Sequence, residues 1–293
     1  MMKMKKKILH SRNLAYPAIF VLLIITVFPI GYSIYISMTN FHLTIPGFTF
    51  VGLDNFRELM NDAMFWTSLW NTARMGVPAV IIQMVLGFSI AVLINRKFAG
   101  RGIFIAIFVA PIMLAPGAVS LAFRLLFDPT FGPVNHLVGV VAGRPISIDW
   151  LGSPVLAPMA VIIIDVWQMT PFVMLLSLAG LSTISPELYE AAYIDGANKF
   201  QAFARITMPL VKKVLFVIAL FRIVDVARMF DIPFALFRGG PGTSTMTISI
   251  LTYLRGLQFM RIGNAAAISL IFLVIMVVLV LIFLKFNPKE KKA

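Results

Sequence analysis

Apolar runs of about 20 residues constrain this chain more than any other feature, because roughly 20 helical residues cross a hydrocarbon core of about 30 Å. About six runs reach that length: Leu14–Ser37, Leu69–Asn95, Ile103–Leu126, Pro154–Gly180, Met208–Phe230 and Ile262–Phe286. Lipid offers the backbone no hydrogen bonds, so a continuous run of this kind must satisfy its own as a helix. The expected fold class is therefore an all-α integral membrane protein, one transmembrane domain over 1–293 with the lipid bilayer as its solvent. Composition agrees. Of 293 residues, 60% are hydrophobic and 13% charged, against roughly 45–50% and 25% in soluble domains.

A net charge of +13 would ordinarily raise the question of nucleic acid. Here the basic residues gather in tails and short loops between apolar runs, which is the pattern of an orientation signal, so no nucleic-acid partner is expected. One side receives Lys3, Lys5, Lys6, Lys7 and Arg12, then Arg96, Lys97 and Arg101, then the loop Lys199–Lys213, then Lys289, Lys291 and Lys292. The other receives mainly Arg57, Arg144, Arg238, Arg255 and Arg261. The first set is about threefold richer, which places both termini, including a tail over 1–13, in the cytoplasm. A basic start before an apolar run also fits a cleaved signal peptide. The length of Leu14–Ser37, its Pro29 and the lack of a small-residue cleavage site favour an uncleaved first span.

Several chemistries have no residues to carry them. There is no cysteine, so disulfides and thiolate sites are excluded. No G-x-x-x-x-G-K-[ST] phosphate loop occurs, and His10, His42 and His136 lie far apart. The chain is expected to bind no metal, ATP or other cofactor, and to be no enzyme.

The most punctuated polar stretch lies between the fourth and fifth runs. Ser185 is a good helix N-cap, Pro186 fits the first helical position, and Glu187 and Glu190 put negative charge at the positive end of the helix dipole. Gly196 after Asp195 predicts a turn, and a second short helix over Lys199–Ile206 leads to Pro209. The spacing Glu190-Ala191-Ala192, Gly196 and Ile206-Thr207-Met208-Pro209 resembles the EAA loop of binding-protein-dependent ABC importer permeases. Met208 stands where leucine is commoner. The string EAAYIDGA, the run Phe50–Phe56 in the first external loop (about 38–68), and Arg238-Gly239-Gly240-Pro241 before Thr243-Ser244-Thr245 are similar to the carbohydrate-importing branch.

That resemblance implies a type I ABC importer permease fold, with a family core of about 67–286 and a cytoplasmic coupling loop over 185–209. It implies a second homologous permease, an ABC ATPase dimer that uses ATP and magnesium, an extracytoplasmic solute-binding protein and a carbohydrate substrate, whether a mono- or oligosaccharide, a polyol or a sugar phosphate. The membrane would be the bacterial or archaeal cytoplasmic (inner) membrane. The coupling residues it implies are Glu190, Ala191, Ala192, Asp195, Gly196, Ile206 and Pro209.

Polar residues inside apolar runs are costly and so informative. Asp165, Trp167 and Gln168 precede Pro171, which kinks a helix and frees a carbonyl. Arg222 and Asp225, then Arg228 and Asp231, are each spaced i, i+3, which would put both pairs on one helix face. Mutual neutralisation and substrate contact both remain open for this set. By resemblance to maltose-importing members, solute-contacting positions fall on Arg222, Val226 and Met229, and near Met169 and Phe172. Val226 and Met229 lack the polar side chains expected there. The substrate path is thus expected to involve Asp165, Gln168, Met169, Phe172, Arg222, Asp225, Val226 and Met229. A secondary, ion- or proton-coupled transporter using Asp165 and Asp225 is the alternative. The loop 127–153 reads as an interfacial segment anchored by Trp150.

Overall fold

The computed structural model describes residues 2–96 and 98–286, and these are helical apart from loops and one antiparallel bridge, Thr39 to Phe50. The basic residues Lys97, Lys289, Lys291 and Lys292 lie outside the described set. The chain divides into two compact units, one of 1–62 and 252–275 and one of 63–251 and 276–293.

The first unit holds helices α1 (Met2–Ser37) and α2 (Asp54–Met60). Asn55 explains why the Phe50–Phe56 string matters. Its Nδ2 donates to the carbonyls of Ser37 and Thr39, both at 2.8 Å. A helix end leaves carbonyls without partners, so this amide closes α1. Glu58 pairs with Arg261, and Asp62 with Arg255. The Arg261 hydrogen bond holds the Glu58 carboxyl below its ordinary pKa, against partial burial, and Glu58 raises that of Arg261 in return.

The second unit opens with α3 (Ala63–Ile94), followed by α4 (Arg101–Met113) and α5 (Pro116–Leu126). The expected third span, Ile103–Leu126, is not one helix. It breaks between α4 and α5 with a bend of 97°. Ala115 precedes Pro116, and the proline ring drives the residue before it out of helical geometry into the extended region. The loop 127–153 contains a further helix, α6 (Pro133–Ala142), and Trp150 is tied down by donating to Asn135 Oδ1 at 2.9 Å.

Helix α7 (Leu156–Ser182) is followed by α8 (Pro186–Ile194) and α9 (Lys199–Ala202). A π-helical segment, Phe203–Thr207, then runs without interruption into α10 (Met208–Ala227). The pairs α3–α7, α3–α10 and α7–α10 each close over a glycine. An added Cβ would come within 2.6 Å of Val173 at Gly87, 3.0 Å of Val226 at Gly76 and 2.9 Å of Val214 at Gly180. Small residues of this kind let membrane helices approach closely.

Helix α10 ends at Ala227, short of the expected Phe230, and α11 (Asp231–Phe237) begins after a break. Pro233 sits in the first turn of α11, where its missing N–H costs nothing. In a continuous helix it would have left the Met229 carbonyl empty; Thr247 Oγ1 donates to that carbonyl instead, at 3.0 Å. This corrects the expectation for the second charged pair: Arg228 and Asp231 lie on either side of the break, and Arg228 bonds back to Asp225. The Gly239–Thr245 stretch is pinned to α3, with Asn71 Nδ2 donating to the Thr243 carbonyl at 2.7 Å and Arg74 to that of Ser244 at 2.8 Å. α12 (Ile248–Tyr253) and α13 (Ile262–Lys285) complete the order.

Among the described residues, four helical segments are long and apolar enough to cross a membrane: Ile19–Ser37, α3, α7 and α13. The bent α4–α5 pair makes a fifth if counted as one span. The remaining expected span, α10, has 20 residues but carries Lys212, Lys213, Arg222 and Asp225. The protein is a multi-pass membrane protein.

Candidate functional site

Two places in the second unit collect the residues singled out from the sequence. The first is a cavity of about 330 Å³. Asp165, Gln168 and Met169 reach it from α7, Asp225 and Val226 from the end of α10, and Arg228, Met229 and Phe230 from the break. Asp231 and Ile232 of α11 and Pro116 of α5 complete the lining. Each interruption of a helix described above therefore borders this cavity, as expected where irregular backbone must face protein or water.

A polar network runs from the lining residues Asp165, Asp225 and Arg228 inward to Arg222. Arg222, 1% exposed, has no access to the cavity. Its Nε donates to Gln83 Oε1 at 2.9 Å, Nη2 to Asp165 Oδ2 at 3.1 Å, and Nη1 to Asp225 Oδ2. Gln83 Nε2 donates to Asp165 Oδ2 at 2.6 Å and to the Asp165 carbonyl at 3.0 Å. Arg228 Nη2 reaches the other Asp225 oxygen at 3.3 Å. A carboxylate on an insertion-type scale costs about 2.5–3.5 kcal/mol at mid-membrane. Asp165 avoids that by facing an arginine and an amide from two other helices.

Gln83 was not among the residues expected here, although a lone amide in the middle of the long apolar run Leu69–Asn95 was the available signal. Phe172, expected near the solute, does not line the cavity; the aromatic ring that does is Phe230, stacked on Phe234 at 4.7 Å. Trp167 points elsewhere, packing edge-on against Phe123 at 5.3 Å.

The second place is the polar hairpin of α8 and α9. Gly196 takes φ +83°, a left-handed conformation that any side chain would strain. The amide of Ala197 donates to the Ala192 carbonyl at 2.9 Å and that of Gly196 to Tyr193 at 3.1 Å, the double bond of a Schellman stop. Asn198 and Gln201 then form a reciprocal capping box that starts α9. Ser185 does occupy the N-cap of α8, but its side chain makes no capping bond. Tyr189 OH meets Thr207 Oγ1 at 2.9 Å, fastening α8 to the π segment. Glu190, Ala191, Asp195 and Gly196 are exposed, as are the large apolar side chains of Leu188, Ile194 and Phe200. Ala192 and Ile206 are half-buried, and Pro209 lies in the first turn of α10.

Residues 75–292 match the family described as binding-protein-dependent transport system inner membrane component. The chain belongs to that family. It is 37% identical over 260 residues to a probable ABC transporter permease protein of Sinorhizobium fredii, covering 88% of this chain and 83% of the relative. It is 35% identical over 272 residues to the trehalose/maltose transport system permease protein of Thermococcus litoralis, covering 92% and 90%. Its fold is shared with a bacterial ABC transporter involved in the import of the acidic polysaccharide alginate, at TM-score 0.81 and 24% identity over 98% of both chains. The protein is thus an ABC importer permease of the type I fold. Nothing favours the ion-coupled alternative, whose Asp165 and Asp225 are both engaged by Arg222.

Proposed function

We propose that this chain is one of two homologous permeases of an ATP-driven importer for a carbohydrate or polyol, and that the α8–α9 hairpin couples it to the ATPase. The observation that carries this reading is continuity: one helical rod runs from Lys199 through the π segment to Ala227. At 1.5 Å per residue it is roughly 40 Å long. One end bears the hairpin, and the other supplies Asp225 and Val226 to the cavity wall. A push on the hairpin is therefore a displacement of the cavity.

The hairpin suits docking in a groove of another protein. Ala191 and Ala192 permit close approach, Leu188, Ile194 and Phe200 offer apolar area, and Glu190 and Asp195 offer charge for a basic rim. Gly196 sets the angle between the helices, while Ile206 and Pro209 mark its junction with the rod. Hydrolysis of ATP with magnesium belongs to a separate ATPase dimer, and closure of that dimer moves the rod as a rigid body. An extracytoplasmic binding protein delivers the solute to the opposite face. In this reading the hairpin and both termini lie on the cytoplasmic side of a bacterial or archaeal inner membrane, which the excess of Lys and Arg in the loops of that side supports. The carbohydrate class is supported by the trehalose/maltose permease among the relatives.

The test is affinity purification of the tagged protein from gently solubilised membranes, with mass spectrometry of what accompanies it. An ATPase and a second permease are expected. A homo-oligomer with neither would overturn the reading. In the assembled complex, Gly196→Val and Glu190→Lys should abolish solute-stimulated ATP hydrolysis while the protein still reaches the membrane. Full stimulation in both variants would remove the hairpin from the mechanism.

A further inference from the structure

A second hollow in the same unit lies where the long helices give way to the polar hairpin. Its volume, about 470 Å³, falls within the roughly 300–1,000 Å³ of small-molecule sites. Asn95 and Arg96 reach it from the end of α3, Tyr193 from α8, and Lys199 from the start of α9. The Tyr189–Thr207 bond, at 2.9 Å, holds its α8 wall in place.

The charge of this lining has one sign. Arg96 and Lys199 bring two positive charges from separate elements, and no carboxylate among the described residues lines the hollow. Neither basic side chain has an ion pair or hydrogen bond among the described residues, and the same is true of the Tyr193 hydroxyl and the Asn95 side-chain amide. The hairpin does carry acids, Glu187, Glu190 and Asp195, but all three stay out of the lining. Cations and neutral donors gathered without a counter-charge suit a phosphate, which takes charge and hydrogen bonds together.

The rest of the wall is apolar. Leu181, at the end of α7, is 3% exposed, and Phe203 packs against Phe88 of α3 at 6.2 Å. Helices α3 and α7 are both long and apolar enough to span the membrane, so their ends mark its edge. Basic pockets between spanning helices at the cytoplasmic surface are where acidic headgroups seat. A dissolved phosphate would use the cations and leave the apolar wall bare. A phospholipid uses both.

We propose that this hollow holds the phosphate of an anionic phospholipid between Arg96 and Lys199, with Tyr193 donating to it and the first methylenes lying against Leu181 and Phe203. Such a lipid touches the ends of two spans and both helices of the hairpin, and so braces the hairpin against them. The inference goes beyond the importer reading and takes from it only the cytoplasmic side of the hairpin.

The test is titration of a fluorescent phosphatidylglycerol onto the protein, purified in nonionic detergent with the partners it retains, beside phosphatidylcholine carrying the same label. Phosphatidylglycerol is expected to bind about tenfold more tightly. Arg96→Gln with Lys199→Gln should remove that preference, and Tyr193→Phe, which leaves the charge alone, should weaken binding about threefold. Arg205→Gln with Lys212→Gln removes as much charge from exposed positions outside the hollow and should change little. Equal loss in the two charge-removing pairs would assign the preference to the general surface field and overturn the site. Displacement of the lipid by inorganic phosphate or glycerol 3-phosphate would overturn it in favour of a dissolved anion. A preference seen only once a bound ATPase is stripped away would overturn it in favour of an acidic side chain of that partner. If the Arg96 and Lys199 pair fails to assemble, Tyr193→Phe and the competition decide, and unchanged affinity in Tyr193→Phe overturns the placement. None of these readouts involves transport, so the importer reading stands or falls separately.

Discussion

The two units each contain a knot of acidic and basic side chains, and similar chemistry does different work in them. In the first, Glu58, Asp62, Arg255 and Arg261 pair at a half-open surface, with side-chain exposures from 19% to 43%. In the second, Arg222 and Asp165 are 2% and 8% exposed, with Gln83 closing the set. Water screens the first knot, so each pair in it is worth little and can be lost singly. The enclosed part of the second, Arg222 with Asp165 and Gln83, cannot share its charge with water and stands or falls together. Its rim at Asp225 and Arg228 is 42% and 72% exposed and behaves like the first. Ion pairing alone therefore says little about importance. Enclosure decides it.

The sharpest way to break this contrast is at Arg222. Arg222→Met strands Asp165 as an unpaired buried charge and should cost about 3–5 kcal/mol, read as loss of folded protein in thermal unfolding of detergent extracts. Arg222→Met with Asp165→Leu should regain much of that, because no enclosed charge is then left behind; Asp225 keeps Arg228 and water. Equal damage in the single and double variants would show that the network is not a unit.

In the first unit, Asp62→Asn weakens a partly enclosed pair with Arg255 and should cost on the order of 1 kcal/mol, visible as a modest fall in the same melting temperature. A double-mutant cycle on Glu58 and Arg261 should return less than about 1 kcal/mol of coupling, shrinking further in high salt. A salt-insensitive coupling of several kcal/mol would erase the distinction between the knots.

The smallest effect is a dependence on pH. Folding holds the Glu58 pKa below its ordinary 4.5. A depressed carboxylate contributes stability that is fully present above 4.5 and fades as pH falls through the lower folded value. Glu58→Gln should flatten only this acid limb of the stability profile, leaving neutral pH almost unchanged; a wild-type loss centred above pH 6 would assign it to another group.

How much of this was legible beforehand depends on how local the cause is. The α8–Gly196–α9 hairpin follows from neighbours in sequence, so Pro186 and Gly196 placed its first helix and its turn within a residue or two, while the Asn198 capping box was not foreseen. The start of α10 was not legible: Pro209 suggested a new helix after a short one over Lys199–Ile206, whereas α9, the π segment and α10 run on as one rod. Nor was its end, because what stops it is partly remote: Thr247 takes the Met229 carbonyl that Pro233 cannot serve. Apolar content hid the α4–α5 break in the same way. Ile103–Leu126 reads as one span by hydropathy, while Pro116 and its predecessor overrule it. The Arg222 network was half visible. The i, i+3 spacing gave Asp225, but Gln83 and Asp165 meet Arg222 from helices 139 and 57 residues away, and no spacing rule spans such distances.

The π segment Phe203–Thr207 has a consequence for anyone exchanging parts between such transporters. A π turn amounts to one extra residue in an α-helix, and one residue is about 100° of rotation. The azimuth at which the hairpin leaves the membrane, relative to the direction Asp225 faces, is therefore set by a single inserted residue. A chimaera joined within 203–207, with the insertion lost at the seam, would keep every hairpin residue and every cavity residue, and turn one against the other by about a quarter-turn.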